Sequence, residues 1–185
     1  GDRNPRIVFG EGRCAQPYAA SPLNISAMSY GALSKNAIMA LNKGAKVGGF
    51  AHNTGEGGLS PYHRKFDADV IWQIGTGYFG CRNATGGFDA EQFEQTANLP
   101  AVKMIEIKLS QGAKPGHGGI LPAAKLTEEI AAIRHVPMGQ DVVSPAAHSA
   151  FSTPAGLLEF VVLLRGLAGG KPVGFKLCIG NQSEF

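Results

Sequence analysis

Short apolar runs alternate with capped helical segments along this chain, and polar, glycine-rich stretches follow the runs. That alternation constrains the fold more than any other feature. Strands joined through helices lie parallel in one sheet, because a parallel partner is reached only by a long crossover. The runs cover residues 23–28, 50–53, 70–74, 104–109, 141–143 and 173–179. The helical segments carry recognisable caps. Ser34 precedes 35–46, which ends at Gly48-Gly49; Asp89 precedes 90–97; Thr127 precedes 128–134. Thr153-Pro154 opens a last helix that Gly169-Gly170 follows, a cap before an N1 proline. Its residues Leu157, Leu158, Val161, Val162, Leu164 and Leu167 run at helical spacing and are expected to form a face packed on the sheet. No convincing helix is legible in 55–69.

Such a sheet is either doubly wound or closed into a barrel. The polar stretches at 29–34, 54–63, 75–87, 110–122 and 144–153 all follow strands. This favours a (β/α)₈ barrel, whose active sites lie in the loops after the strands. Six strands are legible. A full barrel typically needs about 250 residues, and this chain has 185. It therefore reads as an incomplete barrel of about six of eight βα units, expected to continue beyond Phe185. Residues 1–22 are assigned to an N-terminal extension and 23–185 to the barrel.

Hydrophobic residues make up 44% of the chain, enough for a core and unlike a disordered segment. The pI is about 8.8, but Lys and Arg are scattered, and the longest basic cluster is His63-Arg64-Lys65. A nucleic-acid footprint needs a clustered stripe, so none is expected. No apolar run nears the roughly 18 residues of a membrane span. Cys14, Cys81 and Cys178 form no CxxC; free thiols in a reducing cytoplasm are the simplest reading. The five histidines show no metal-ligand spacing, and no metal site is expected.

Three loops carry candidate chemistry. Gly75-Thr76-Gly77-Tyr78-Phe79-Gly80 fits GxGxxG after a strand, but 81–87 is a poor helix with Asn83, Gly86 and Gly87. A dinucleotide fingerprint requires a helix opening at once, so a tight active-site turn is the better reading. Asn53-Thr54-Gly55-Glu56-Gly57-Gly58 sets one carboxylate among three glycines. That is either a solvated loop acid or an acid held where a ligand meets backbone N–H groups. The segment from Lys108 to Gly119 is the densest. Lys108 ends a strand and Lys114 lies in the following loop; both are surface lysines or hold negative charge on a cofactor or an anionic substrate. Glu106 and Lys108 share a strand face inside an otherwise apolar strand, which weakens the surface reading.

Five segments together resemble the FMN-binding synthase domain of glutamate synthases, especially stand-alone FMN-binding glutamate-synthase-like proteins. They are Ile25-Ser26-Ala27-Met28-Ser29-Tyr30-Gly31-Ala32-Leu33-Ser34, residues 53–58, 73–80 and 107–119, and Ser144-Pro145-Ala146-Ala147-His148. They occur in family order, and the resemblance runs from about Leu23 to Cys178. It implies a (β/α)₈ barrel with FMN across its C-terminal mouth, reducing 2-iminoglutarate, formed from 2-oxoglutarate and ammonia, to L-glutamate. By position, the resemblance places Met28 and Ser29 against the flavin and Gln73 at the isoalloxazine edge. It places Lys108 by the negative charge of the reduced ring, with Gln111 beside it, and Lys176 as a further flavin contact. Glu56 and Lys114 match positions facing the 2-oxoglutarate pocket, so Lys108 and Glu56 are the catalytic candidates. The electron donor implied is ferredoxin or an NADPH-oxidising subunit. Cysteines for a 3Fe–4S cluster, and the loops that would bind the FMN phosphate, are expected beyond this chain. These residues alone are expected to bind FMN poorly.

Three positions depart from the family pattern: Tyr78 stands where Arg is usual, His117 where Glu is usual, and Ile120 where Gln is usual. Ile cannot donate to a carboxylate, and losing one such donor costs roughly 1.5–3 kcal/mol. The alternatives are an FMN oxidoreductase acting on another keto or imino acid, and a non-catalytic barrel serving as an assembly or regulatory partner.

Overall fold

The computed structural model describes residues 4–109 and 117–184. Gln111 and Lys114 lie outside the described residues. The N-terminal segment opens with an antiparallel hairpin, β1 (Ile7–Phe9) and β2 (Tyr18–Ala20). Tyr18 and Ala20 pack with Ala51 against Ile71 and Met104, so this segment covers one end of the main sheet.

Helix α1 (Lys35–Gly48) starts where Ser34 Oγ accepts the Ala37 N–H. It feeds β3 (His52–Asn53), and β4 (Val70–Ile74) follows. Between them a short 3₁₀ turn, Pro61–Arg64, is capped by Ser60. Helix α2 (Ala90–Ala97), capped by Asp89, leads to β5 (Val102–Lys108). Next come β6 (Ile120–Leu121), α3 (Glu128–Arg134) capped by Thr127, and β7 (Val142–Val143). Helix α4 (Pro154–Leu167), capped by Thr153, precedes β8 (Val173–Lys176).

The main sheet is parallel, in the order β3-β4-β5-β8. The run at 23–28 contributes a single parallel bridge from Ile25 to His52 rather than a full strand. Its backbone bonds on either side, Ile25 N–H to Ala51 O and Asn53 N–H to Ile25 O, still align it with β3. The run at 141–143 departs further. Val142 and Val143 pair antiparallel with Leu121 and Ile120, outside the parallel sheet. A two-residue apolar run has no periodicity to reveal its partner, and β6 supplies the nearer one. The described parallel sheet therefore holds four strands, against six expected.

One sheet face packs against α2 and α4. Val70, Trp72, Ile74, Ile105 and Ile107 meet Phe93 and Ala97 of α2 and Leu157, Phe160, Val161 and Leu164 of α4. Trp72 and Phe93 stack with ring centroids 5.2 Å apart. Leu158 and Val162 do not join this face and are 60% and 66% exposed. They sit one residue round the helix from Leu157 and Val161, about 100° away. The opposite sheet face carries Asn53, Gln73, Glu106, Lys108 and Lys176, following the period of two.

Candidate functional site

Parallel strands bring their C-terminal ends to one edge, and the loops leaving them converge there. Register sets Lys108 beside Lys176, and Gln73 beside Glu106. The turn after β3 swings back over this edge. Gly55 has φ +67°, and a Cβ there would collide with Ser29 Oγ and lie 2.8 Å from Ser29 N. Only glycine lets the two loops touch in this way. A Cβ on Gly75 would sit 2.9 Å from Glu56 Cβ, so the turn after β4 also yields room to this acid.

Glu56 lies at the centre. Lys108 Nζ donates to its Oε2 at 3.0 Å, and the two side chains are only 12% and 17% exposed. Ser29, Glu56, Ile120, Lys125, Arg134 and Ser144 line an adjoining cavity of about 310 Å³. A smaller recess between Glu56, Lys108, Thr76 and His117 continues it. Thr76 Oγ1 donates to Pro145 O at 2.6 Å, tying the turn after β4 to the 144–148 segment.

Arg134 brings a second cation, and this one is buried. Its Nη2 donates to Tyr30 O at 3.3 Å, and its guanidinium lies 5.1 Å from the Phe79 ring centroid. Its Nε has no hydrogen-bond partner. Burial lowers its pKa from the ordinary value, and Glu56 opposes that shift. Glu129, on the same helix, accepts from the hydroxyls of Tyr30 and Tyr62 at 2.6 and 2.7 Å. Helix α3 is thereby fastened to the loop at the cavity's rim.

Below the edge lies an amide–carboxylate layer. Asn53 Nδ2 and Gln73 Nε2 both donate to Glu106 Oε1, at 3.0 and 2.6 Å. Gln73 Oε1 is buried with no donor, a state that costs about 1–3 kcal/mol. A third tie holds the end of β5. His148 Nε2 lies 2.8 Å from Lys108 O, a carbonyl that only accepts, so this nitrogen carries the proton. His148 Nδ1 then accepts from the Tyr78 hydroxyl at 3.0 Å, whose oxygen accepts the Ala150 N–H at 3.1 Å. Burial pulls the His148 pKa below its ordinary value.

Of the residues singled out from sequence, Ser29, Glu56 and Lys108 meet at one place. Met28 flanks it, its N–H bonded to Asn53 O and its own carbonyl bonded to His63 Nε2. Lys176 is exposed and adjoins Lys108 in register. Gln73 stands one layer below. Arg134, Thr76 and Ser144 were not singled out. Arg134 ends a capped helix, where a basic residue needs no explanation beyond the helix dipole, so nothing in its local sequence marks it. Among the described residues no group of three or more His, Cys, Asp or Glu could hold a metal. No helix among them is long and apolar enough to cross a membrane.

The C-terminal edge of a parallel α/β sheet thus gathers the Glu56 carboxylate, Lys108 and the buried Arg134 around adjoining cavities. The chain belongs to the glutamate synthase family: the conserved region in glutamate synthase matches residues 4–185. It is 46% identical over 180 residues to the glutamate synthase large subunit-like protein YerD of Bacillus subtilis, covering 96% of this chain and 34% of that protein. It is 38% identical over 157 residues to the archaeal-type glutamate synthase [NADPH] of Thermotoga maritima, covering 84% of this chain and 28% of that protein. It is 39% identical over 158 residues to the archaeal glutamate synthase [NADPH] of Methanocaldococcus jannaschii, covering 85% and 28%. The chain thus spans about a third of the length of these curated relatives.

Proposed function

We propose that the protein containing this chain is an FMN-dependent oxidoreductase of the glutamate synthase type, built on a (β/α)₈ barrel of which residues 23–185 form the first part and 1–22 an extension. It converts 2-oxoglutarate and ammonia, through 2-iminoglutarate and loss of water, to L-glutamate. The observation that carries this reading is the Lys108–Glu56 pair, at 3.0 Å, beside a cavity that the buried Arg134 lines.

The residues present fit a flavin. Gln73 holds an orphaned buried acceptor, and Lys108 supplies a positive group. Met28, Ser29, Gln73, Lys108 and Lys176 would hold the group, with Gln111 as a further contact. Bound and reduced by the electron donor, FMN would supply the hydride that reduces the carbon of the carbon–nitrogen double bond and would return to its oxidised form. Glu56, bonded to Lys108, would manage the proton that the nitrogen gains. Arg134 and Lys125 would receive the substrate carboxylates, with Lys114 as a further cation; a dicarboxylate leaving water needs such charge-assisted partners. The three cysteines are free thiols, one of them buried and one exposed. They suit a cytoplasmic setting and do not fit an iron–sulfur cluster, so a 3Fe–4S centre and an electron donor, ferredoxin or an NADPH-oxidising subunit, would be supplied by other parts of the assembly.

Ile120 favours a second reading. It lines the cavity together with Leu121 and Val142, an apolar wall that suits a 2-oxo acid with an apolar tail. The test is the purified full-length protein: flavin absorbance in the visible spectrum, and glutamate formed from 2-oxoglutarate and ammonium with reduced flavin. Turnover of apolar 2-oxo acids in its place would select the second reading, and a colourless protein indifferent to added FMN would overturn both.

A further inference from the structure

Glu106 lies on β5 two residues before Lys108 and on the same sheet face. Two amide nitrogens converge on its Oε1, Asn53 Nδ2 at 3.0 Å and Gln73 Nε2 at 2.6 Å. A carboxylate oxygen accepts, so both amides turn their N–H groups toward it and their oxygens away. The outcome differs on the two sides. Asn53 Oδ1 accepts the Gly55 N–H at 3.0 Å, which braces the turn that delivers Glu56. Gln73 Oε1 is left buried without a donor, on a residue that is 1% exposed.

We propose that Glu106 is a positioning residue. By taking both amide donors it fixes Gln73 as an acceptor toward the ligand and Asn53 as the brace of the Glu56 turn. The ligand edge that meets Gln73 is therefore an N–H donor of the amide or imide kind. This rests on the flavin reading of the site, in which the imide N–H of the isoalloxazine ring is that donor. The Asn53 brace needs no ligand.

The test uses the full-length protein, with FMN and N3-methylated FMN titrated by fluorescence quenching. The wild type should prefer FMN about tenfold, the loss expected from one missing hydrogen bond. Glu106→Leu, and the milder Glu106→Asp should Leu fail to fold, should bring that preference close to one. Glu106→Gln keeps an acceptor oxygen and should retain it. Amide hydrogen exchange at Gly55, read without flavin, should quicken about tenfold or more in the Leu and Asp variants and stay unchanged in Gln. A merely structural role would lower the melting temperature and leave the preference intact. An undiminished preference in Leu and Asp, or unchanged Gly55 exchange, overturns the proposal. Equal binding of the two flavins by the wild type overturns the acceptor role of Gln73 while the flavin reading stands. Failure to bind either flavin overturns the flavin reading and the Gln73 arm together, and the Gly55 exchange then decides the brace.

Discussion

Lys108 and Arg134 are both cations at the same cavity, yet they reach it differently, and their substitutions should separate. Lys108 touches Glu56 directly from a strand end. Lys108→Met removes a positive charge from the place where negative charge develops on a reduced ring. The flavin potential should fall by about 30 mV or more for a two-electron couple, equivalent to roughly 1.4 kcal/mol. Redox titration against dyes checks this, and unchanged behaviour would remove Lys108 from the site. Arg134 instead hangs over Phe79 and holds Tyr30 O. Arg134→Met should raise the KM for the 2-oxo acid about 10- to 100-fold through loss of a charge-assisted bond, with flavin content nearly unchanged. An unaltered KM in steady-state assays would show that the substrate carboxylate does not rest there. Lys108 was legible in the sequence because a charged residue at the end of an apolar strand is anomalous. Arg134 was not, because a basic residue in the last turn of a helix is ordinary.

Between elements, the tie from Tyr78 through His148 to Lys108 O couples the turn after β4, the end of β5 and the segment before α4. Tyr78 is fully buried at φ +49°, a left-handed backbone that a bulky residue rarely adopts. Its hydroxyl relays two bonds and so repays that strain in part. Tyr78→Phe leaves the Ala150 N–H and His148 Nδ1 without their partner. It should cost about 1–3 kcal/mol in urea unfolding, and a change below about 0.5 kcal/mol would show that the relay is not holding these loops. The sequence flagged Tyr78 only as a departure from the family pattern. Its bond to a histidine 70 residues away is a long-range contact that no local pattern encodes. The capped helices were legible for the opposite reason: Ser34, Asp89, Thr127 and Thr153 each bond within three residues of themselves.

At the scale of the molecule, two buried imidazoles make stability depend on pH. His52 and His63 lie 5.1 Å apart between ring centroids, and neither ring nitrogen of His52 has a partner. Burial pushes both down to about 4 from the ordinary 6.5, with His63 adding to the effect on His52. The unfolded chain therefore takes up protons first as the pH falls below 6.5. The stability that these two groups affect is whole above that value, declines between about 6.5 and 4, and changes no further through them below. The slope is at most about 1.4 kcal/mol per pH unit for each imidazole. His52→Leu, which also removes two unpaired buried nitrogens, should flatten the decline. Urea midpoints at pH 7 and pH 5 check this, and equal slopes for wild type and variant would assign the acid sensitivity elsewhere.

The sequence by itself determined the alternation of strand and helix, the caps and the cluster of loop chemistry after the strands. These follow from interactions spanning a few residues: cap bonds, side-chain periodicity and glycine turns. It also carried the family, because motifs keep their order along a chain whatever their positions in space. Tertiary structure alone decided that Val142–Val143 joins β6, that Ile25 contributes one bridge, and that Leu158 and Val162 face solvent. It alone brought Arg134 to Glu56 and set Glu106 between two amides from neighbouring strands. Each of those outcomes depends on which surfaces meet after the chain has closed long loops, and a linear pattern holds no record of that competition.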